Sequence, residues 1–522
     1  MLDKELLDQI ATYMEKLDAE VTLRVCNKTH EKKSDLLEML RGIVSTSDKL
    51  SLSEEDLPYR SGVSFDICKE GKPSGIIFSG IPGGHEFSSL ILAILQVGGV
   101  PLKLDEGLQK MIKNYKKKMQ FETIVSLECH NCPEVVQALN QICLLNENVS
   151  HEMIDGGLFP EVVAERKVMG VPTIFKNGDT FSSGKMEISD ILEKINITLS
   201  PESRQSVSQE FENKIYDVLI IGGGPAGVSS AIYSARKGLE VLMIVDRIGG
   251  QVKDTIGIEN MISVVSTSGP ELADSLEKHL NHYNIPIRKN IKVKAIQKGE
   301  IKQTELTTGE VIRSRAIIIA TGARWRELGI PGEKENIGKG VAYCPHCDGP
   351  FFKGKDVVVV GGGNSGIEAA LDLSGIVKSV TVLEFLPELK ADKVLVEKAE
   401  QTPNIRILTQ IQSKEVLTEN GKVTGLQYID RSSGKEAILP SDGIFIQIGL
   451  LPNSGFAKEI LETNKFGEII VDDKCRTSES GIFACGDVTT VPYKQIIISM
   501  GEGAKAALSA FEYVLMNSKQ QA

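Results

Sequence analysis

The sequence is short of cysteine, of net positive charge and of long apolar runs, and each shortage excludes a class of protein. Nine cysteines in 522 residues is an odd and sparse count, too few for the disulfide framework that staples small secreted scaffolds. Lysine and arginine number 59 against 70 aspartates and glutamates, for a net charge of -11. A nucleic-acid binder needs a basic face to neutralise phosphates, so no nucleic acid is expected and the partners should be soluble molecules. No run of about 18 apolar residues is present, which leaves no expected membrane span. The start, Met1-Leu-Asp-Lys-Glu-Leu-Leu-Asp-Gln-Ile, reads as an acidic amphipathic helix without the basic and apolar regions of a signal peptide, so a cytoplasmic location is expected. What is there, 41% hydrophobic and 25% charged residues with 49 glycines, suits an ordinary globular protein, and roughly 150 residues per domain gives three to four domains.

The few cysteines are distributed unevenly. Four form two pairs of one spacing, Cys129-His-Asn-Cys132 and Cys344-Pro-His-Cys347, while Cys26, Cys68, Cys143, Cys475 and Cys485 are isolated. Two such pairs could supply four ligands to one structural zinc. Zinc modules, however, keep their pairs about 15 to 20 residues apart, and here 211 residues lie between Cys132 and Cys344. The competing reading is two dithiol/disulfide centres that exchange electrons in series.

Two stretches have the pattern of a dinucleotide site. Ile215-Tyr-Asp-Val-Leu-Ile-Ile runs as a buried strand into Gly222-Gly-Gly224-Pro-Ala-Gly227 and a helix expected over Val228 to Lys237. The first glycine allows the tight turn, the second admits a pyrophosphate, and the third lets helix pack on strand. Helix amides then face the phosphates. Asp246 ends the next apolar strand, where a carboxylate meets a ribose hydroxyl. The device recurs at Asp356-Val-Val-Val-Val-Gly361-Gly-Gly363-Asn-Ser-Gly366, followed by Ser-Val-Thr-Val-Leu and Glu384. Two such units suggest one tightly held dinucleotide and one exchangeable one, typically a flavin and a nicotinamide. No arginine pair follows Glu384 to accept a 2'-phosphate, which favours NADH over NADPH; Lys390 could blunt that preference.

Residues 199–214 are polar with few anchors and fit a linker. Before them, Phe121-Glu-Thr-Ile-Val-Ser-Leu feeds Cys129 at the start of a helix, and Met169-Gly-Val-Pro172 and a helix from Ser189 to Ile197 follow. This is a thioredoxin-like redox pattern. A thiolate at a helix N-terminus gains from the dipole, and Pro172 is expected to be cis and to face the dithiol. A degenerate copy precedes it: Val21-Thr-Leu-Arg-Val-Cys26 echoes the strand before Cys129, and Ser61-Gly-Val-Ser64 echoes Met169-Gly-Val-Pro172. This copy has no cysteine pair, so it should keep the fold without the chemistry. Cys26 and Cys68 are expected as packed thiols. Asp348, directly after the second pair, could supply the proton when one sulfur leaves, or could simply cap a turn.

At Gly80-Ile-Pro-Gly-Gly-His85-Glu86-Phe, Glu128-Cys-His-Asn-Cys-Pro-Glu-Val-Val-Gln-Ala-Leu-Asn140, Ile248-Gly-Gly-Gln-Val, Ala320-Thr-Gly-Ala-Arg-Trp325, Tyr343-Cys-Pro-His-Cys-Asp-Gly-Pro350 and Phe483-Ala-Cys-Gly-Asp487, the chain resembles the flavoprotein component of bacterial alkyl hydroperoxide reductase over essentially its whole length. Its C-terminal two thirds also resemble low-molecular-weight thioredoxin reductase. The resemblance implies an α/β chain with a tandem thioredoxin-like domain over 1–198 (1–100 without the cysteine pair, 101–198 with it), the linker 199–214, an FAD domain from 215–327 and 452–522, and an NADH domain over 328–451 with the redox pair.

The resemblance further implies a homodimer and a route for electrons: from NADH through FAD to Cys344/Cys347, on to Cys129/Cys132, and finally to a peroxiredoxin that destroys hydroperoxides. By the same analogy Cys347 faces the flavin, Cys344 attacks the next disulfide, Cys129 attacks the peroxiredoxin and Cys132 resolves. The FAD contacts it implies are Gly222, Gly224, Gly227, Asp246, Gln251, Asn260, Thr321, Gly322, Asp487 and Gln495; the NADH contacts are Gly361, Gly363, Gly366 and Glu384. Asp348 and Glu86 are the carboxylates placed beside the two cysteine pairs, although an ordinary surface role for Glu86 is equally open, and Trp325 is expected as core filling near the FAD strands. A general protein-disulfide reductase is the alternative activity.

Overall fold

The computed structural model describes residues 3–129, 131–168, 170–195, 214–255, 257–419 and 421–518. His130 between the first cysteines, Met169 before the proline loop, and the linker expected at 199–214, except Lys214, lie outside the described residues. The chain divides into two compact units, one N-terminal and one C-terminal.

The N-terminal unit is built on one sheet of eight strands: β1 (Val21–Cys26), β2 (Leu50–Glu55), β3 (Ser64–Lys69), β4 (Lys72–Ser79), β5 (Met119–Val125), β6 (Val149–Asp155), β7 (Thr173–Lys176) and β8 (Asp179–Ser183), in the order β2-β1-β3-β4-β6-β5-β7-β8. The same four-strand plan occurs twice. β1 runs parallel to β2 and antiparallel to β3, which turns back into β4. β5 repeats this with β6, β7 and β8. A parallel pairing of β4 with β6 joins the halves, and the helices Phe87–Val97 and Cys132–Leu145 pack together. Along β1 the apolar residues Val21, Leu23 and Val25 alternate with polar ones and are fully buried, as period-two patterning requires. The degenerate copy read from the sequence is therefore a full structural repeat, with Ser64 opening β3 where Pro172 precedes β7. Cys26 and Cys68 are buried in it, as packed thiols should be, and Cys143 is buried in the other half.

The C-terminal unit holds two nucleotide-type sheets. The first comprises β9 (Ile215–Ile221), β10 (Val241–Ile244), β11 (Ile287–Arg288), β12 (Val293–Gln297), β13 (Lys302–Leu306) and β14 (Val311–Ile319), in the order β11-β10-β9-β14-β13-β12. β15 (Ala323–Trp325) then leaves it. The second comprises β16 (Val341–Ala342), β17 (Asp356–Val360), β18 (Ser379–Leu383) and β19 (Ile405–Leu408), with a three-stranded layer β20 (Ile411–Glu419), β21 (Lys422–Asp430) and β22 (Lys435–Pro440) inserted before β23 (Gly443–Ile446). Its parallel order is β16-β23-β17-β18-β19. β24 (Leu450–Pro452) pairs antiparallel with β15, so two short strands carry the chain out and back. β25 (Ile482–Ala484) then joins β14 of the first sheet. Valine- and isoleucine-rich runs with no polar alternation, such as Asp356-Val-Val-Val-Val, are what parallel strands covered on both faces need.

Candidate active site

In the N-terminal unit, the first cysteine pair lies where a strand from one half meets a turn from the other. The helix begins at Cys132, with Pro133 in its first turn, so Cys129 sits just ahead of the helix rather than inside its first turn. Gly84, at φ +52°, brings its turn against this loop; a Cβ there would lie 2.5 Å from the Leu127 carbonyl oxygen, and the His85 amide donates to that same oxygen at 3.0 Å. The close approach requires glycine. The Val171–Pro172 peptide is cis, as expected, and its carbonyl lies 3.8 Å from Cys129 Sγ.

The two sulfurs differ in environment. Cys132 is fully buried and Cys129 only partly so. The Cys132 thiol is pushed far up, first by its hydrogen bond to Cys129 and then by burial. A thiol that donates to a neighbouring sulfur favours the thiolate on that neighbour. Glu86 completes the group. It is not a surface residue: it is fully buried, and neither carboxyl oxygen closes a well-formed hydrogen bond. Burial pushes it up to about 7, opposed by the nearby Ser89 hydroxyl and reinforced by the charge of Cys129. A buried carboxyl so poorly partnered is costly.

In the C-terminal unit, the two glycine turns have the same anatomy. A Cβ on Gly222 would meet the Ala320 carbonyl oxygen at 2.1 Å, and one on Gly227 would meet the Gly222 oxygen at 2.0 Å, whereas one on Gly224 would meet nothing within 4 Å. In the second turn Gly361 faces the Gln447 oxygen at 2.3 Å, Gly366 faces the Gly361 oxygen at 1.9 Å, and Gly363 again faces open space. The outer glycines serve internal packing; the middle ones leave the backbone open. Each middle glycine caps the N-terminus of a helix, Pro225–Arg236 and Asn364–Ser374 respectively. Glycine cradles facing empty space at helix N-termini fit the pyrophosphate of a dinucleotide.

The other residues expected around the first cradle fall beside it to different degrees. Gly486 packs against it, since a Cβ there would lie 2.9 Å from Ala226 Cβ. The next residue, Asp487, accepts a hydrogen bond from Ser499 at 3.1 Å, and burial raises its carboxyl. Thr321 and Gly322 follow β14 and are tied to Asn453, with Thr321 Oγ1 donating to its carbonyl at 2.8 Å. Asp246 lies two residues beyond β10 and is half-buried. With its side-chain amide turned so that oxygen and nitrogen each meet a partner, Gln251 donates its nitrogen to the Ala323 carbonyl (2.6 Å) and its oxygen accepts the Trp325 indole N–H (2.5 Å). Trp325 is thus more than core filling. It stacks on Tyr343 with ring centroids 6.0 Å apart, and Tyr343 donates to the buried Glu333 at 2.7 Å.

Cys344 and Cys347 are joined as a disulfide with Cα atoms 5.2 Å apart. Gln495 Nε2 lies 3.9 Å from Cys344 Sγ, and Asn260 Nδ2 donates to Gln495 Oε1 at 3.1 Å. Residues from three distant stretches therefore converge on the second pair. Asp348 is pushed up to about 6 by burial, which the Cys344 amide opposes. Glu384 is buried after β18 and accepts the amides of Gly362 (2.6 Å) and Leu386 (2.8 Å). The Trp325–Tyr343 stack and the Gly84–Leu127 contact went unread in the sequence. The positive-φ requirement within Ile-Pro-Gly-Gly-His was the one signal that could have indicated the latter.

Residues 216–503 match the pyridine nucleotide-disulphide oxidoreductase family, and residues 119–196 match a thioredoxin domain. The chain is 48% identical over 519 residues to the F subunit of alkyl hydroperoxide reductase of Staphylococcus aureus strain MRSA252, covering 99% of this chain and 100% of that one. It is 46% identical over 520 residues to the protein of the same name in Escherichia coli K12 (99% of each). It is also 46% identical over 517 residues to a Bacillus subtilis protein named "NADH dehydrogenase" (99% and 100%). Among solved structures, thioredoxin reductase from Streptococcus pyogenes is 37% identical and superposes with a TM-score of 0.56, covering 58% of this chain and 99% of that one. The chain belongs to the pyridine nucleotide-disulphide oxidoreductases and, within them, to the flavoprotein components of alkyl hydroperoxide reductase.

Proposed function

We propose that this flavin disulfide oxidoreductase uses FAD at the first glycine cradle and NADH at the second, and delivers electrons to a peroxiredoxin. The observation that carries the reading is the presence in one chain of two dinucleotide cradles and two CxxC pairs, one of them a disulfide in contact with Gln495. We assign 215–327 and 452–522 to the FAD domain and 328–451 to the NADH domain; the return of β25 to β14 supports this division. Gly222, Gly224, Gly227, Asp246, Asn260, Thr321, Gly322, Asp487 and Gln495 would hold the flavin, with Gln251 bracing the crossover strand. Gly361, Gly363, Gly366 and Glu384 would hold the nicotinamide dinucleotide. A bound flavin supplies two-electron chemistry between a reduced nicotinamide and a disulfide.

The chain's own residues then act in order. When the Cys344–Cys347 bond opens, Asp348 gives a proton to the sulfur that would otherwise remain a thiolate. Cys344 attacks the oxidised Cys129–Cys132 pair, forming a mixed disulfide that Cys347 resolves, so one disulfide forms as the other breaks. Cys129, the more accessible sulfur, attacks the disulfide of the peroxiredoxin. Cys132 resolves that intermediate, and Glu86 carries the proton. The names of the relatives support the peroxiredoxin as partner, and we place the working form as a cytoplasmic homodimer by the same likeness.

The test is spectroscopic and then kinetic. Purified protein should be yellow, with absorbance near about 450 nm that NADH bleaches without oxygen, and catalytic amounts should couple NADH oxidation to reduction of an oxidised peroxiredoxin. Absence of flavin, or a bleached flavin that leaves the peroxiredoxin oxidised, would overturn the reading.

A further inference from the structure

Phe385 is an aromatic ring left 49% exposed one residue beyond Glu384, at the C-terminal edge of the parallel sheet, where such folds take their ligands. An arginine backs it. Arg431, from the hairpin between β21 and β22, donates Nη1 to the Phe385 carbonyl at 2.8 Å and lays its guanidinium 3.9 Å from the ring centroid. Backbone bonds tie the same pieces together: Arg431 N–H donates to Gln410 (2.8 Å), Gln410 N–H to Leu386 (3.0 Å), and Ile411 N–H to Glu384 (2.8 Å). An exposed arginine is ordinarily solvated and mobile; this one is committed to a ring and a carbonyl. The local sequence after Glu384 contains no arginine, so only the fold brings one here.

We infer that Arg431 is a positioning residue for the adenosine end of the nicotinamide dinucleotide, fixing Phe385 as a stacking surface beside Glu384. This rests on the reading that the second cradle takes that dinucleotide. Purines stack on aromatic rings, and a ring backed by a guanidinium plane is held in place for it. The alternative role for an arginine here is to accept a 2'-phosphate. The stacking of its guanidinium on Phe385 and the neighbouring Glu384 carboxylate both disfavour that.

The test uses full-length oxidised protein and four forms: wild type, R431A, R431K and F385L. Flavin content and melting midpoint establish that each is folded. Calorimetric titration with NAD+ and NADP+ gives affinities, and anaerobic flavin bleaching gives KM and kcat for NADH. R431A should weaken NAD+ binding and raise KM by about 3- to 10-fold at constant kcat. NADP+ should lose the same factor, and F385L should move in the same direction. R431K should stay weakened, because an ammonium keeps the charge but neither stacks as a plane nor forks. Unchanged NAD+ affinity in R431A and F385L, full rescue by R431K, or a loss confined to NADP+ would each overturn the inference. Failure of the wild type itself to bind NAD+ would instead remove the reading of the second cradle on which it rests.

Discussion

Gln495 Nε2 lies 3.9 Å from Cys344 Sγ across 151 residues of sequence. The contact brings a C-terminal segment, which follows the return of β25 to the first sheet, up to the disulfide inserted with the second. Replacing Cys347 with serine should therefore separate two events. Flavin bleaching by NADH should persist near its wild-type rate, while reduction of any protein disulfide should fall to background, measured as NADH turnover with oxidised peroxiredoxin.

The glycine turns give a prediction with an internal control. Gly224→Ala places a methyl in open space at φ -73°, so the fold should tolerate it while the phosphate cradle is filled. Flavin content after purification should drop severalfold, with little change in the apoprotein melting midpoint. Gly227→Ala drives a Cβ to 2.0 Å from a backbone oxygen and should destabilise the protein itself by about 2 kcal/mol or more. Gly363→Ala should raise KM for NADH and leave flavin content intact.

Glu86 should make stability and exchange depend on pH. Burial raises its carboxyl from the ordinary value to about 7, so the folded state holds a proton that the unfolded state releases. Stability from this group is complete below about pH 4.5 and is lost as pH rises through about 7, by an amount on the order of 3 kcal/mol. Glu86→Gln should match the wild type in chemical denaturation at pH 4.5 and exceed it at pH 8. In activity, the wild type should show an inflection near pH 7 in peroxiredoxin turnover that the variant lacks.

Asp348, pushed up to about 6 by burial, should behave analogously at the other pair. Asp348→Asn should leave flavin bleaching by NADH in place, slow opening of the Cys344–Cys347 disulfide by roughly 10²-fold as a general acid is removed, and erase the pH dependence near 6. Rapid mixing with a peroxiredoxin acceptor at pH 5 to 8 reads both effects.

NADH should be preferred over NADPH. Glu384 is buried with its carboxylate fixed by two amides, which leaves a negative group where a 2'-phosphate would be repelled. The measurement is kcat/KM for each in flavin bleaching; equal values would reject the assignment of Glu384.

Periodicity and turn chemistry made much of this legible beforehand. The glycine turns, the cysteine pairs and Pro172 are local signals, and each encodes its geometry within a few residues. Glu86 was ambiguous because its burial depends on the turn at Gly84 meeting Leu127, two segments far apart in sequence. Arg431 was invisible for the same reason: nothing near Glu384 indicates that a hairpin some 45 residues later returns to it. Trp325 read as core filling because its partners, Gln251 and Tyr343, sit on other elements.

The central claim is that the partly exposed Cys129 and the buried Cys132 form the outlet of an electron route that begins at NADH. Serine at both positions should preserve flavin content and its bleaching by NADH, while NADH-dependent reduction of a peroxiredoxin falls to background. Unchanged peroxiredoxin turnover in that double variant would contradict the account.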